Sequence, residues 1–107
     1  MRLSLSTHVL DATAGRPAAG VAVRVEHDGA TLVDARTDDD GRIHDHAPLS
    51  GPGTYRITFA TGASFAATGQ QGFYPAVTIA FTVSDPAAHH HIPLLLSPYA
   101  YSTYRGS

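Results

Sequence analysis

The sequence contains no cysteine, no tryptophan and no lysine. Without cysteine the chain can form neither disulfides nor thiolate zinc sites, and it has no cysteine nucleophile. Its seven basic residues are all arginine and are outnumbered by nine acidic residues, which gives a formal net charge of −2. A chain with this balance lacks the basic surface that binds a nucleic-acid backbone, so we expect no nucleic-acid partner.

Long apolar runs are also missing. No stretch approaches the roughly 20 apolar residues of a membrane-spanning helix. The first eight residues, MRLSLSTH, contain no apolar block of the length that a signal peptide requires. We therefore expect a cytoplasmic protein with no membrane partner.

The chain has 107 residues, the size of one domain, and we expect a single domain spanning residues 1–107. Its main pattern is an alternation of apolar and polar residues with a period of two, which is typical of β-strands. Apolar residues alternate with polar ones in four segments, residues 3–9, 21–26, 54–59 and 77–83, and more weakly in residues 32–37. Glycine, proline and aspartate pairs between them are typical of turns, among them residues 15–17, 28–29 and 40–41. Residues 60–69 are the one helix candidate. These patterns predict an all-β sandwich of antiparallel strands with one short helix.

The segment of residues 92–101, IPLLLSPYAY, is apolar on both faces of a strand. Such a strand has a partner on both sides. Either a second subunit covers the outer face, or the segment is a central strand covered by a loop. We favour the oligomer, because exposed apolar patches of this size are rare on monomers.

Seven histidines are the unusual component of the composition. In a strand, His89 and His91 point to one face and His90 to the other, while His8 lies on the polar side of the first strand. A His-x-His pair can contribute to a metal site. No suitably spaced carboxylate or cysteine accompanies this pair, so we expect a solvated strand start and no metal.

Three consecutive aspartates precede Gly41 and Arg42. A calcium loop would need a glutamate near its end, and Glu26 is the only glutamate in the chain; an acidic turn is the better interpretation. Arg42 becomes a candidate for binding an anion or a carbonyl group only if the fold brings it near the histidines. The chain has neither a Gly-x-Ser-x-Gly elbow nor a glycine-rich phosphate loop. These patterns alone do not name a reaction.

Two longer motifs resemble one family. The first is LSTHVLD at residues 5–11, followed by GRPA at residues 15–18, and the second is PLLLSPYAYSTYRGS at residues 93–107. Together they resemble the 5-hydroxyisourate hydrolases, the enzyme branch of the transthyretin-like family. The resemblance spans nearly the whole chain. Transthyretins share the middle of the second motif but replace its last four residues, YRGS, which separate the enzymes from the hormone carriers.

The resemblance implies a transthyretin-like eight-stranded antiparallel β-sandwich with one short helix, assembled as a homotetramer that is a dimer of dimers. It implies hydrolysis of 5-hydroxyisourate to 2-oxo-4-hydroxy-4-carboxy-5-ureidoimidazoline in urate breakdown, in a channel between dimers. It implies no cofactor. The alternative is a transthyretin-like carrier that binds a small aromatic ligand in this channel without turnover.

The family motifs also imply site residues. His8, Arg42, His91 and Ser107 match the catalytic positions, and His8 and Arg42 also match substrate-binding positions. Tyr104, Arg105 and Gly106 match the remaining binding positions. Histidine suits proton transfer near neutral pH, and the arginine donors suit a flat acidic heterocycle; which histidine is the general base stays open. The family usually has an aromatic residue at the position of His90, which affects packing more than chemistry.

Overall fold

The computed structural model describes residues 5–43, 49 and 51–106. These residues form nine strands and one helix. The elements in chain order are β1 (Leu5–Asp11), β2 (Arg16–Pro17), β3 (Ala22–His27), β4 (Ala30–Arg36), β5 (Arg42–Ile43), β6 (Gly53–Phe59), α1 (Thr61–Ala67), β7 (Val77–Val83), β8 (His90–Ser97) and β9 (Ala100–Thr103). In this part of the chain no helix is long and apolar enough to cross a membrane.

The strands form two sheets. One has the order β2-β1-β8-β9, with β5 also paired to β1, and the other has the order β4-β3-β6-β7. The predicted β-sandwich is therefore confirmed. One pair differs from the antiparallel prediction, because β1 and β8 run parallel, with Leu5 opposite His90 and Asp11 opposite Leu96. These two strands lie far apart in the sequence, so no tight hairpin forces them to be antiparallel.

The core lies between the two sheets and follows the alternation of the sequence. Its largest fully buried side chains come from both sheets and include Tyr55, Phe59, Ile57, Leu94 and Val9. Helix α1 follows β6 and packs Phe65 against this core. Strand β4 is an edge strand in which only Val33 is fully buried, which explains why its alternation in the sequence is weak.

The interpretation of residues 15–17 as a turn is wrong in part. The Asp11 carboxylate accepts hydrogen bonds from the backbone N–H groups of Thr13 and Ala14, at 3.0 and 2.9 Å, and closes the turn earlier. Arg16 and Pro17 therefore already form β2, which pairs with the end of β1.

The apolar segment of residues 92–101 is two strands rather than one. Strand β8 ends at Ser97 and β9 begins at Ala100, and the Ser97 hydroxyl donates a hydrogen bond of 3.0 Å to the Ala100 carbonyl across the turn. Because β8 is an inner strand of its sheet, its alternate residues Ile92 and Leu94 fill the core, while Leu95 on the outer face is only partly buried.

Candidate active site

Polar side chains with titratable groups gather on the outer face of the five-stranded sheet. In β1, Leu5, Thr7 and Val9 are buried in the core, so the alternate residues Ser6 and His8 point to the outer face, where they are partly buried. On β8 the same alternation sends Ile92 into the core and His91 outward. The sequence pattern thus determines which histidines can meet.

The register of β1 with its two neighbours brings the predicted site residues together. His8 lies opposite Arg42 on β5, in an antiparallel pair. On the other side of β1, Ser6 lies opposite His91 and His8 opposite Pro93, in the parallel pair with β8. Since residues opposite each other share a face of the sheet, His8, Arg42 and His91 occupy one patch of the outer face.

Arg42 is held by the acidic turn before it. The Asp38 carboxylate accepts hydrogen bonds of 2.9 Å from the backbone N–H groups of Asp40 and Arg42. Gly41 has a φ of 74°, and a Cβ at this position would come within 2.4 Å of the Val9 carbonyl oxygen. Only glycine fits there. The interpretation of these aspartates as a turn is confirmed, and this turn positions Arg42 at the patch.

His91 has a defined hydrogen-bond partner. Its Nδ1 lies 2.8 Å from the Ser6 hydroxyl, and the same hydroxyl lies 2.9 Å from Nε2 of His89. His89 is exposed and His91 is partly buried. As the alternation predicted, both turn to the same side of the strand, and both contact Ser6.

The surroundings of His91 favour its neutral form. Burial is the main cause that lowers the pKa of His91 from its ordinary value, because a charged imidazole loses hydration there. The positive charge of Arg42 lowers this pKa further, and so does repulsion from His89 and His8 when those rings are protonated. A hydrogen bond to the Ser6 backbone acts in the opposite direction, and the net effect is a lowered pKa.

The C-terminal segment closes one side of the patch. The backbone N–H of Gly106 donates a hydrogen bond of 2.8 Å to the His91 carbonyl, and a Cβ on Gly106 would come within 2.4 Å of His91 Cδ2. The exposed residues Tyr104 and Arg105 line a cavity of about 310 Å³ between β7, β8 and this segment. His91 is also at its wall, together with the core-side residues His90 and Ile92, whereas His8 and Arg42 do not line it. The predicted catalytic residue Ser107 lies outside the described residues.

His90 faces away from the patch, as predicted. It is buried on the core side of β8, and its Nδ1 lies 2.9 Å from the Ala88 carbonyl oxygen. Its substitution for the usual aromatic residue therefore concerns the core. Within the residues that the structure describes, no group of three or more histidine, aspartate or glutamate side chains is arranged to hold a metal ion.

Neither Ser6 nor its contact with His89 was predicted from the sequence. Ser6 precedes His8 by two positions, so their common face was visible in the sequence. The parallel register with β8, which places the Ser6 hydroxyl between two imidazoles, has no signal in a single sequence because it joins residues 83 and 85 positions apart.

Comparison with known proteins agrees with this fold. Residues 5–106 match the HIUase/Transthyretin family. The 5-hydroxyisourate hydrolase of Caulobacter vibrioides is 48% identical over 112 residues, covering 96% of this chain and 97% of that protein. The structure of Klebsiella pneumoniae 5-hydroxyisourate hydrolase has a TM-score of 0.89 at 41% identity, covering 98% of this chain and 94% of that one. Transthyretin from Sparus aurata has a TM-score of 0.87 at 32% identity, covering 98% and 97%. With a matching sandwich and a match over nearly its full length, this chain belongs to the HIUase/transthyretin family.

Proposed function

We propose that this protein hydrolyses 5-hydroxyisourate to 2-oxo-4-hydroxy-4-carboxy-5-ureidoimidazoline, opening the six-membered ring at an amide bond. The observation that carries the proposal is the meeting of His8, Arg42 and His91 on one face of the sheet. Relatives that bear the name 5-hydroxyisourate hydrolase are 48% and 41% identical to this chain. The reaction needs an activated water, a group that stabilises negative charge on oxygen, and a proton for the leaving nitrogen.

His91 is the general base in this proposal. Its lowered pKa keeps the imidazole neutral near neutral pH, so that it can take a proton from water. The hydroxide oxygen then bonds to the amide carbon, and the carbon–nitrogen bond breaks. The imidazolium returns the proton to the leaving nitrogen, which restores neutral His91. One water is consumed, and the new end of the opened ring is a carboxylic acid, which releases its proton to solvent and becomes a carboxylate.

Arg42 binds the substrate and stabilises the developing charge. Its guanidinium offers several N–H donors in a fixed plane, which fits the carbonyl oxygens of a flat acidic ring. Among the described residues, ion pairs join Arg24 to Asp34 and His27 to Asp28 and do not involve Arg42. His8 on β1 lies directly opposite Arg42. In this proposal it helps to position the water and the substrate between Arg42 on β5 and His91 on β8.

The C-terminal segment forms the remaining wall of the site. Gly106 contacts the His91 ring edge, and Tyr104 and Arg105 line the adjoining cavity. We assign these three residues to substrate binding, and we retain Ser107, which follows Gly106 in the chain, as a catalytic residue implied by the family motif.

The active form in this proposal is a homotetramer in which outer faces of the five-stranded sheets meet. On this face Leu10 lies opposite Leu95, beside the polar patch, and both are only partly buried in the single chain. Strands β7 and β9 are the outermost strands of their sheets on the side where the cavity opens. Their outer backbone edges are available for pairing with a second copy.

Isotope incorporation tests the reaction itself. 5-Hydroxyisourate is generated from urate in heavy-oxygen water, the protein is added after the intermediate has formed, and the product is analysed by mass spectrometry at times too short for spontaneous decay. Hydrolysis predicts one heavy oxygen in the new carboxylate, in an amount proportional to the protein. A folded protein that binds the intermediate but forms no product above the protein-free sample would instead be a carrier, like the transthyretins that share its fold.

A further inference from the structure

The Ser6 hydroxyl lies between two imidazole rings. It is 2.8 Å from Nδ1 of His91 and 2.9 Å from Nε2 of His89. Both distances fit hydrogen bonds. A serine hydroxyl has one proton to donate and accepts with its lone pairs, so it cannot donate to both rings. At least one imidazole therefore donates to Ser6, and where the other ring accepts the Ser6 proton, the direction of the two bonds fixes the tautomers of both histidines.

The position of His91 limits which nitrogen can face a reacting molecule. Ser6 contacts the Nδ1 edge of the ring, and Gly106 lies against the Cδ2 edge. Nε2 is the nitrogen that neither contact occupies. A base at Nε2 needs a free lone pair there, and a neutral imidazole then carries its proton on Nδ1.

We propose that Ser6 and His89 are positioning residues that hold His91 in the tautomer with its proton on Nδ1 and its Nε2 free to accept a proton from water. His91 Nδ1–H donates to the Ser6 oxygen, and the Ser6 hydroxyl donates to His89 Nε2. His89 Nε2 lies within hydrogen-bond distance of the Ser6 hydroxyl and is the acceptor in this arrangement. The inference rests on the proposed function, because it assigns the orientation of the base in that reaction.

The same chain of hydrogen bonds serves the protonated state. When His91 gains a proton at Nε2, its Nδ1–H still donates to Ser6, so no hydrogen bond in the chain has to reverse during turnover. The other charged or titratable groups whose fields act on His91 are Arg42 on β5 and His8 on β1. Among the hydrogen bonds of the described residues, neither Arg42 nor His8 is bonded to Nδ1 of His91.

Nitrogen NMR of histidine-labelled protein measures the tautomer directly, in the absence of substrate. The His91 signals are assigned by their loss in His91→Gln. We expect the wild type to carry the proton on Nδ1, and Ser6→Ala to show a mixture or a majority with the proton on Nε2. Ser6→Thr, which keeps a hydroxyl, should restore the wild-type pattern. A wild-type His91 protonated on Nε2, or an unchanged tautomer in Ser6→Ala, would overturn the inference.

Kinetics give the second readout. Ser6→Ala should lower kcat about tenfold, the rate equivalent of roughly one hydrogen bond, with KM within about twofold because substrate contacts are retained. Ser97→Ala is the matched control, since it also removes a serine hydrogen bond from the same sheet but lies at the far end of β8, and its kcat should not change. A purely structural role for Ser6 would lower thermal stability and leave the tautomer unaltered.

A surface variant covers the case in which Ser6→Ala does not fold. His89→Leu replaces an exposed side chain and should lower kcat about threefold, since solvent replaces part of the lost acceptor. The double variant Ser6→Ala/His89→Leu should be no slower than Ser6→Ala alone, because the effects of two residues that act through the same series of hydrogen bonds are not additive. If His89→Leu changes neither kcat nor the tautomer of His91, the inference is wrong. If the wild type shows the Nδ1 tautomer but does not accelerate decay of 5-hydroxyisourate, the proposed function fails while the tautomer assignment stands.

Discussion

A Cβ on Gly106 would come within 2.4 Å of Cδ2 of His91, and the Gly106 backbone N–H donates a hydrogen bond of 2.8 Å to the His91 carbonyl. The C-terminal segment is therefore fitted to one edge of this imidazole. Ser6 holds the opposite edge through Nδ1. Two elements that are distant in the sequence thus contact opposite edges of a single ring, which favours the fixed orientation that the proposed general base requires.

Gly106→Ala should displace either the His91 ring or the terminal segment. Because small displacements of a catalytic group are costly, we expect kcat to fall about tenfold to a hundredfold. Steady-state kinetics and thermal unfolding of the same preparation check this, and the unfolding midpoint should change little because the segment lies at the surface. Wild-type kcat in a folded Gly106→Ala protein would mean that this contact does not orient His91.

Arg42→Ala should remove charge stabilisation without unfolding the protein. We expect kcat/KM to fall at least about a hundredfold, the loss typical of removing one donor to a developing oxyanion. Arg24→Ala is the matched control: Arg24 is exposed on the other sheet and pairs with exposed Asp34 at 3.5 Å, and an exposed pair contributes little stability. Circular dichroism and kinetics on both variants separate the roles. An Arg42→Ala protein that is unfolded would assign Arg42 to the fold instead.

The lowered pKa of His91 sets the acid limb of the pH profile. The base must be neutral, so activity is lost as pH falls through this pKa, and the midpoint in kcat/KM should lie below the ordinary histidine value of about 6.5. Removing a positive neighbour favours the charged imidazole, so Arg42→Ala should raise the His91 midpoint in an NMR titration, whereas Arg24→Ala should not. A wild-type midpoint above the ordinary value would contradict the assignment of His91 as a desolvated base.

Leu95→Arg tests the proposed assembly. Leu95 is partly buried on the outer face of the five-stranded sheet, opposite Leu10. Burial of an unpaired charge between subunits is unfavourable, so the tetramer should dissociate into smaller species and lose activity. Leu95→Met, which keeps the volume and the apolar character, should stay tetrameric. Light scattering after size-exclusion chromatography gives the mass of each variant; a Leu95→Arg protein that stays tetrameric would place the interface elsewhere.

Much of the fold could be predicted because its strands are half-buried. In β6 and β7 the apolar residues alternate over the whole strand, and in β3 they alternate up to Val25, so both the presence and the inward face of each strand were evident. Two very short strands were not predicted. Pro17 and Arg16 form β2 only because Asp11 closes the preceding turn early, and β5 contains two residues, too few for any periodicity.

The site itself depended on long-range pairing. Alternation placed His89 and His91 on one face and His90 on the other, as observed. Only the family resemblance predicted that His8, Arg42 and His91 belong to one site. No local pattern specifies that β1 pairs with β5 on one side and with β8 on the other. The role of Ser6 needed the register of the parallel pair, which is a property of the folded chain.

The most direct test of the proposed activity is the ultraviolet decay of 5-hydroxyisourate, freshly generated from urate, over a series of protein concentrations. The intermediate also decays without protein, so only acceleration in proportion to the protein counts. We predict a linear increase of the decay rate with the wild type, and a slope at least about a hundredfold smaller with His91→Asn. Decay at the spontaneous rate in the presence of the folded, tetrameric wild type would contradict the proposal and identify a carrier.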